Sequence, residues 1–404
     1  MESYLLDWAN LLLRWVHVIT AIAWVGASFY FVFLDASLTP PVDDALQRQG
    51  ATGELWAVHG GGFYHPVKYA VPPQLPANLH WFYWEAYSTW LTGFALFAIT
   101  YLWNASTYLI DKSRMDWSPG MAIAVALAFL LVFGVLYDAV CEIFGRCKHG
   151  DRIVGVCVAL LVCVASYLAC QWFAGRAAFL LVGAMLATAM SANVLLWIIP
   201  GQRKVIAAIK AGQPVNPLHG QRGKQRSVHN TYFTLPVLFA MLSNHYSFTT
   251  SHPQNWLVLI LMMLAGAAIR QFFVLRHGYK LGRNRHPLPY ALAGVAVIIG
   301  AIVWMKPAAP DLIAGYARNT GASGIKDYQQ VQTVLEQRCY ACHGAQLQMK
   351  NVRLDSPQLA RQHAQSIYQQ VVVTRTMPMN NATGITEAER GLLKQWFEAG
   401  AKTP

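Results

Sequence analysis

The sequence predicts an all-α protein: a polytopic membrane bundle of about eight helical spans, followed by a small helical C-terminal domain. Three observations predict it. The 404 residues are 55% hydrophobic and only 12% charged, whereas a soluble domain carries about 25% charged residues. Apolar runs of bilayer-crossing length recur from residue 11 to residue 305. Beyond them the chain turns polar and contains Cys339-Tyr340-Ala341-Cys342-His343.

The apolar runs lie at 11–34, 80–103, 120–140, 153–174, 177–199, 231–248, 255–275 and 287–305. Each approaches the roughly 20 residues that a 30 Å hydrocarbon core requires. Eight spans bring both termini to one side, and the distribution of Lys and Arg selects that side. The loops after spans one, three, five and seven hold fifteen of these residues, and those after spans two, four and six hold three. The odd loops are therefore expected in the cytoplasm and both termini in the periplasm of a bacterial cell inner membrane. The net charge of +12 then reflects topology, and no nucleic acid is expected as a partner. Loop 201–228 reads as a solvated positive-inside segment. Met1-Glu2-Ser3-Tyr4 lacks the basic region of a signal peptide. Cys141, Cys147, Cys157, Cys163 and Cys170 lie in or beside apolar runs and read as buried thiols with no disulfide framework.

These boundaries divide the chain into a membrane domain (1–305), a linker (306–324) containing Pro and Gly, and a tail (325–404). Two cysteines two residues apart, followed at once by histidine, form the attachment signature of a c-type haem. The thiols of Cys339 and Cys342 add to the vinyl groups, and His343 supplies an axial nitrogen. Met377, 34 residues beyond His343, offers the second axial ligand. A zinc half-site would need a second cysteine pair, and a thioredoxin-like pair has no use for the histidine. The remainder of the tail fits a class I-like cytochrome c plan. A helix leads into Cys339, and Met377 precedes a last helix. That helix opens on the capping pattern Thr386-Glu387-Ala388-Glu389, and Leu392, Leu393, Trp396 and Phe397 recur along it at helical spacing. Haem c is attached outside the bacterial cytoplasmic membrane, the side to which the charge count assigns the tail.

Ionisable residues inside a membrane are functional candidates. His17 (in Arg14-Trp15-Val16-His17) and His245 (in Ser243-Asn244-His245-Tyr246) are both expected near the periplasmic face. They are candidate ligands of a second iron, a haem b; the alternative is two histidines hydrogen-bonded within the bundle. The opposite face is richer. His59-Gly60-Gly61-Gly62-Phe63-Tyr64-His65 precedes His80-Trp81-Phe82-Tyr83-Trp84-Glu85-Ala86-Tyr87. Helical spacing would place His80, Trp84 and Tyr87 on one side, with Glu85 beside them. Asp138, His229 and Arg270 are expected at the same level. Glu85, His80, His59, His65, Arg270, Asp138 and His229 form the candidate catalytic set around a polar, aromatic pocket. No dinucleotide fingerprint, P-loop or HExxH motif is present.

These stretches carry a resemblance. Trp15-Val16-His17, the His59–Tyr64 loop, His80–Tyr87, His229-Asn230-Thr231-Tyr232, Ser243–Tyr246 and the CxxCH tail resemble the bacterial membrane-bound urate oxidases (urate hydroxylases). That family fuses an eight-span permease-like domain to a C-terminal cytochrome c. The resemblance implies oxidation of urate to 5-hydroxyisourate in purine catabolism without direct use of oxygen. Electrons would leave through one covalent haem c to a downstream periplasmic cytochrome c or terminal oxidase. Urate is a planar anion, which suits aromatic stacking and the Arg270 guanidinium; Glu85 or His80 would serve as general base. A cytoplasmic pocket and a periplasmic haem are separated by about 30 Å of bilayer core. Either a haem b held by His17 and His245 bridges that gap, or the substrate cavity runs deep. Two other classes stay open on the sequence: a urate or purine permease with a regulatory cytochrome tail, and a quinol-linked electron-transfer subunit.

Overall fold

A computed structural model describes residues 2–112, 114–306, 328–349, 352–373 and 375–404. The chain opens with α1 (Glu2–Ser37) and the short α2 (Asp44–Arg48). Four short strands follow: β1 (Ala51–Glu54), β2 (Ala57–His59), β3 (Gly62–Tyr64) and β4 (Val67–Tyr69). Then come α3 (Trp84–Phe97), which runs on through a π turn at Ala98–Leu102, and α4 (Ala105–Tyr108). The bundle continues with α5 (Pro119–Phe144), α6 (Gly150–Trp172) and α7 (Gly175–Ala192). A π segment, Asn193–Ile198, joins α7 to α8 (Ile199–Lys210). Next are α9 (Pro217–Leu242), the short α10 (Ser247–Thr250), α11 (Asn255–Lys280) and α12 (Leu288–Trp304).

Every one of the eight apolar runs is helical over most of its length. Among the described residues, five helices are long and apolar enough to cross a bilayer: Trp8–Ser37, Pro119–Phe144, Gly150–Trp172, Gly175–Lys210 and Asn255–Lys280. α12 is apolar but shorter. α9 starts well ahead of its apolar half, on the polar stretch from Pro217 to Asn230. Loop 201–228 is corrected by this: it is largely helical, and Arg226 is only 1% exposed. Cys147 is exposed rather than buried, because it lies past the end of α5.

α7 is the centre of the bundle, with both small and large residues along it fully buried. Its glycines and alanines let neighbouring helices approach closely. A Cβ on Gly183 would come within 2.8 Å of the Ala240 Cβ on α9. α1 and α3 run antiparallel: His17 lies against Gly93, and Phe31 meets Phe82 at 4.9 Å between ring centroids.

The all-α expectation needs one correction. Residues 51–69 form nested antiparallel pairs, β1 with β4 and β2 with β3. Gly60 and Gly61 have φ of +58° and +81°, the positive values a two-residue type I′ turn demands. The glycine run is therefore a hairpin turn. Glu54, 6% exposed, locks the hairpin by accepting from the Val42 N–H and bonding His65 Nε2, each at 2.7 Å. These two bonds hold its carboxyl below the usual range.

The tail comprises α13 (Tyr328–Arg338), α14 (Tyr340–His343), α15 (Pro357–Gln362), α16 (Ala364–Ile367) and α17 (Glu387–Glu398). Thr386 and Glu389 close a reciprocal capping box at the start of α17. Arg338 ties α13 to the same glutamate through Nε at 3.1 Å and Nη2 at 3.0 Å. Val331, Leu335, Cys339, Leu354, Ile367, Leu393 and Trp396 form the tail's own core. From residue 307 onward the expected linker lies outside the described residues.

Candidate functional site

The tail places its motif residues in a way that suits a haem. α14 folds Cys339–His343 into a single helical turn, with His343 N–H bonding the Cys339 carbonyl at 2.8 Å. Cys339 is buried, Cys342 is half-buried, and Met377 packs on the same core. His343 Nδ1 lies 3.2 Å from the Val352 carbonyl. A carbonyl only accepts, so Nδ1 carries the proton and Nε2 is left with its lone pair for a metal. Arg390 donates to the Met377 carbonyl at 3.1 Å and fixes the methionine's backbone. The donor set is thus two thiols, an oriented imidazole and a thioether, and it fits a c-type haem. Among the described residues no three His, Cys, Asp or Glu side chains gather as a metal cage; a haem needs none.

A cavity of about 440 Å³ opens at the tail-facing end of the bundle. α1, α3, α7 and α9 supply most of its wall, His17 and His245 both line it, and Met379 of the tail lies in its rim. The 3₁₀ turn Met379–Asn381 also packs on α4. The sequence pairing of His17 with His245 is thus realised as a shared cavity, and the tail is part of its boundary. Nothing local in the sequence announces Met379's place there.

At the other end of the bundle, the π segment after α7 meets α5 and α9 in a polar network. Arg226 Nη2 donates to Asp138 Oδ1 at 2.7 Å, and Trp197 Nε1 donates to the same oxygen at 2.8 Å. Asn193 Nδ2 donates to the Tyr137 hydroxyl and to Asn230 Oδ1, each at 2.9 Å. Tyr137 in turn bonds His229 Nδ1 at 2.8 Å. The guanidinium of Arg226 also lies over the rings of Tyr137 and Trp197, 5.1 Å from each centroid. A buried cation this well surrounded has its desolvation offset by an ion pair and two rings. Two candidates, Asp138 and His229, are brought together here. Both are already engaged, so the network reads as a fixed strut. Asn193 inside an apolar run, and the i, i+4 spacing of Arg226 and Asn230, are the sequence signals for it.

The remaining candidates separate. His59 is exposed on the hairpin. His65 stacks on Trp56, with centroids 4.1 Å apart, and is held by Glu54. His80 precedes α3 instead of lying on it and meets Phe82 edge-on, so it shares no helix face with Trp84 and Tyr87. The single pocket expected for all seven residues is not formed by these side chains.

Arg270 and Glu85 stand apart from the rest. Arg270, 5% exposed on α11, lies over the Phe29 ring at 3.7 Å. Its Nε and Nη2 are buried without a hydrogen-bond partner among the described residues, and so is Glu85 Oε2. Such orphaned groups are rare in native proteins and call for an explanation. Their depth is informative. Val25 and Thr89 line the cavity. Phe29 and Glu85 each lie four residues further from the tail along α1 and α3, about 6 Å by helical rise. The unpartnered cation and carboxylate thus sit roughly one turn beyond the cavity floor.

The molecule is thus a predominantly helical protein with helices fit to cross a bilayer and a fused helical tail. A family model described as urate oxidase N-terminal matches residues 3–306, which is the entire bundle. The chain belongs to this family. No curated protein and no solved structure matches it.

Proposed function

We propose that the protein is a membrane-bound oxidoreductase that oxidises urate, or a closely related purine, to the 5-hydroxy product and passes the electrons to a haem c on its own tail. Eight spans, with the tail in the periplasm of a bacterial inner membrane, fit the loop charges and the eight helical segments. The observation that carries the reading is Arg270: a buried guanidinium with two free donors, placed over an aromatic ring, in a chain of the urate oxidase family. A planar purine anion satisfies both the charge and the fork.

In this reading Arg270 binds and orients the anion. Glu85, a half-buried carboxylate whose Oε2 is buried with no hydrogen-bond partner among the described residues, accepts a proton from the substrate or from the attacking water. Asp138 and His229 take structural roles in this reading, because Arg226 and Trp197 hold Asp138 Oδ1 and Tyr137 holds His229 Nδ1. Urate and one water give 5-hydroxyisourate, two electrons and two protons. Cys339, Cys342, His343 and Met377 would hold a haem c, which would supply a one-electron acceptor used twice for each urate. The tail's contact with the cavity rim favours an oxidase over a permease with a distant regulatory tail. The added oxygen is therefore expected to come from water. Turnover in isotopically labelled water, with ferric cytochrome c as acceptor, should label the product without forming hydrogen peroxide. Unlabelled product, or stoichiometric peroxide, would refute this scheme.

A further inference from the structure

We infer that the cavity at the tail-facing end of the bundle is the site of a second, non-covalent haem of b type. His17 is its axial ligand, and it relays electrons to the tail. The inference rests on the reading that the tail carries haem c, and it adds a cofactor that neither the family match nor the tail motif requires.

His17 is held as a ligand would be. Its Nδ1 lies 3.1 Å from Thr92 Oγ1. The Thr92 hydroxyl itself donates to the Ser88 carbonyl at 2.7 Å, so at His17 it accepts. Nδ1 therefore carries the ring proton, and Nε2 is left with its lone pair. Gly93 makes room for this ring: a Cβ there would come within 2.8 Å of His17 Cε1. A glycine in the middle of a helix is less favourable than alanine, and the imidazole occupies the space it leaves.

The cavity suits a tetrapyrrole better than a purine. Its roughly 440 Å³ falls within the range of cofactor sites. From Arg14 to Val25 it follows α1 for about 16 Å by helical rise. Its walls are mostly aliphatic and aromatic, which would leave most of the polar edge of a purine unpaired. Arg14 and Arg176 lie at the tail-facing end, where they match the two propionates of a haem. His245 provides a second imidazole in the same cavity.

The position also resolves the distance between substrate and exit. Arg270 and Glu85 lie about one turn beyond the cavity floor. Met379, in the rim, is two residues from the proposed ligand Met377. One electron from the purine reduces ferric iron at the His17 site to ferrous. The same electron then passes to the ferric haem of the tail, regenerating the ferric b site. Two passages carry both electrons, and the two protons leave separately from the substrate and water.

The test is acid–acetone extraction of the purified full-length protein, with pyridine haemochrome spectra of both fractions. Wild type should yield about one extractable b-type haem for each covalent haem c. His17→Ala should lose the extractable haem and keep the covalent one. Gly93→Ala, which favours the helix but displaces the imidazole, should shift the b-type spectrum or reduce its occupancy severalfold with haem c unchanged. Absence of extractable haem from wild type, or unchanged b-type occupancy and spectrum in both variants, would overturn the inference. Loss of covalent haem from wild type would instead refute the tail reading.

Discussion

Replacing Arg270 by methionine is expected to lower urate-driven turnover by about 10²–10³-fold, the scale of losing one directed donor to a reacting charge, while making the protein more resistant to heat. The two effects share one cause. The guanidinium is buried, and two of its nitrogens have no hydrogen-bond partner among the described residues, so the folded protein bears a desolvation cost that the Phe29 ring offsets only in part and a bound anion would offset further. Methionine fills similar volume without charge and removes that cost. Lysine would retain the charge but not the planar fork, and should recover only part of the activity. Kinetics with urate and a thermal melt, measured on the same preparations, check both effects. A lipid-snorkelling arginine would instead leave turnover unchanged, and its loss would not stabilise the fold.

The second large effect concerns the exit. Exchanging Cys339 and Cys342 together for alanine should abolish covalent haem and bring urate-linked acceptor reduction down to background. Both thiols are needed for attachment, and Cys339 belongs to the tail's core. The damage should stay local. The tail's core is separate from the bundle's, so the variant should still insert in the membrane and bind urate. Haem staining after denaturing electrophoresis, set against urate binding, separates loss of the exit from loss of the protein.

The helices of this fold were legible because apolar length is a property of each segment alone. The tail's CxxCH signature is legible because it lies within five consecutive residues. Arg226 was not, since a topology count treats every arginine as solvated. Its partners Asp138 and Asn193 lie on other helices, 88 and 33 positions away. The glycine run shows a different failure. Gly60-Gly61 between Val58 and Phe63 is a hairpin signal, but the surrounding aromatics also suit a binding loop, and only the strand pairing decides. Helical spacing puts His80 on one face with Trp84 and Tyr87, but the helix begins four residues after it, at Trp84. The juxtaposition of Met379 with His17 across one cavity is purely tertiary. Pattern within either segment does not encode it.

The most direct measurement is an anaerobic spectrum of the oxidised, purified protein before and after one addition of urate, with no other acceptor present. Electrons passing outward from the purine should reduce the haem c of the tail, at two electrons per urate consumed, and 5-hydroxyisourate should form. A haem that stays oxidised with urate but is reduced by a quinol would contradict the oxidase. So would urate uptake into vesicles with no change in haem redox state.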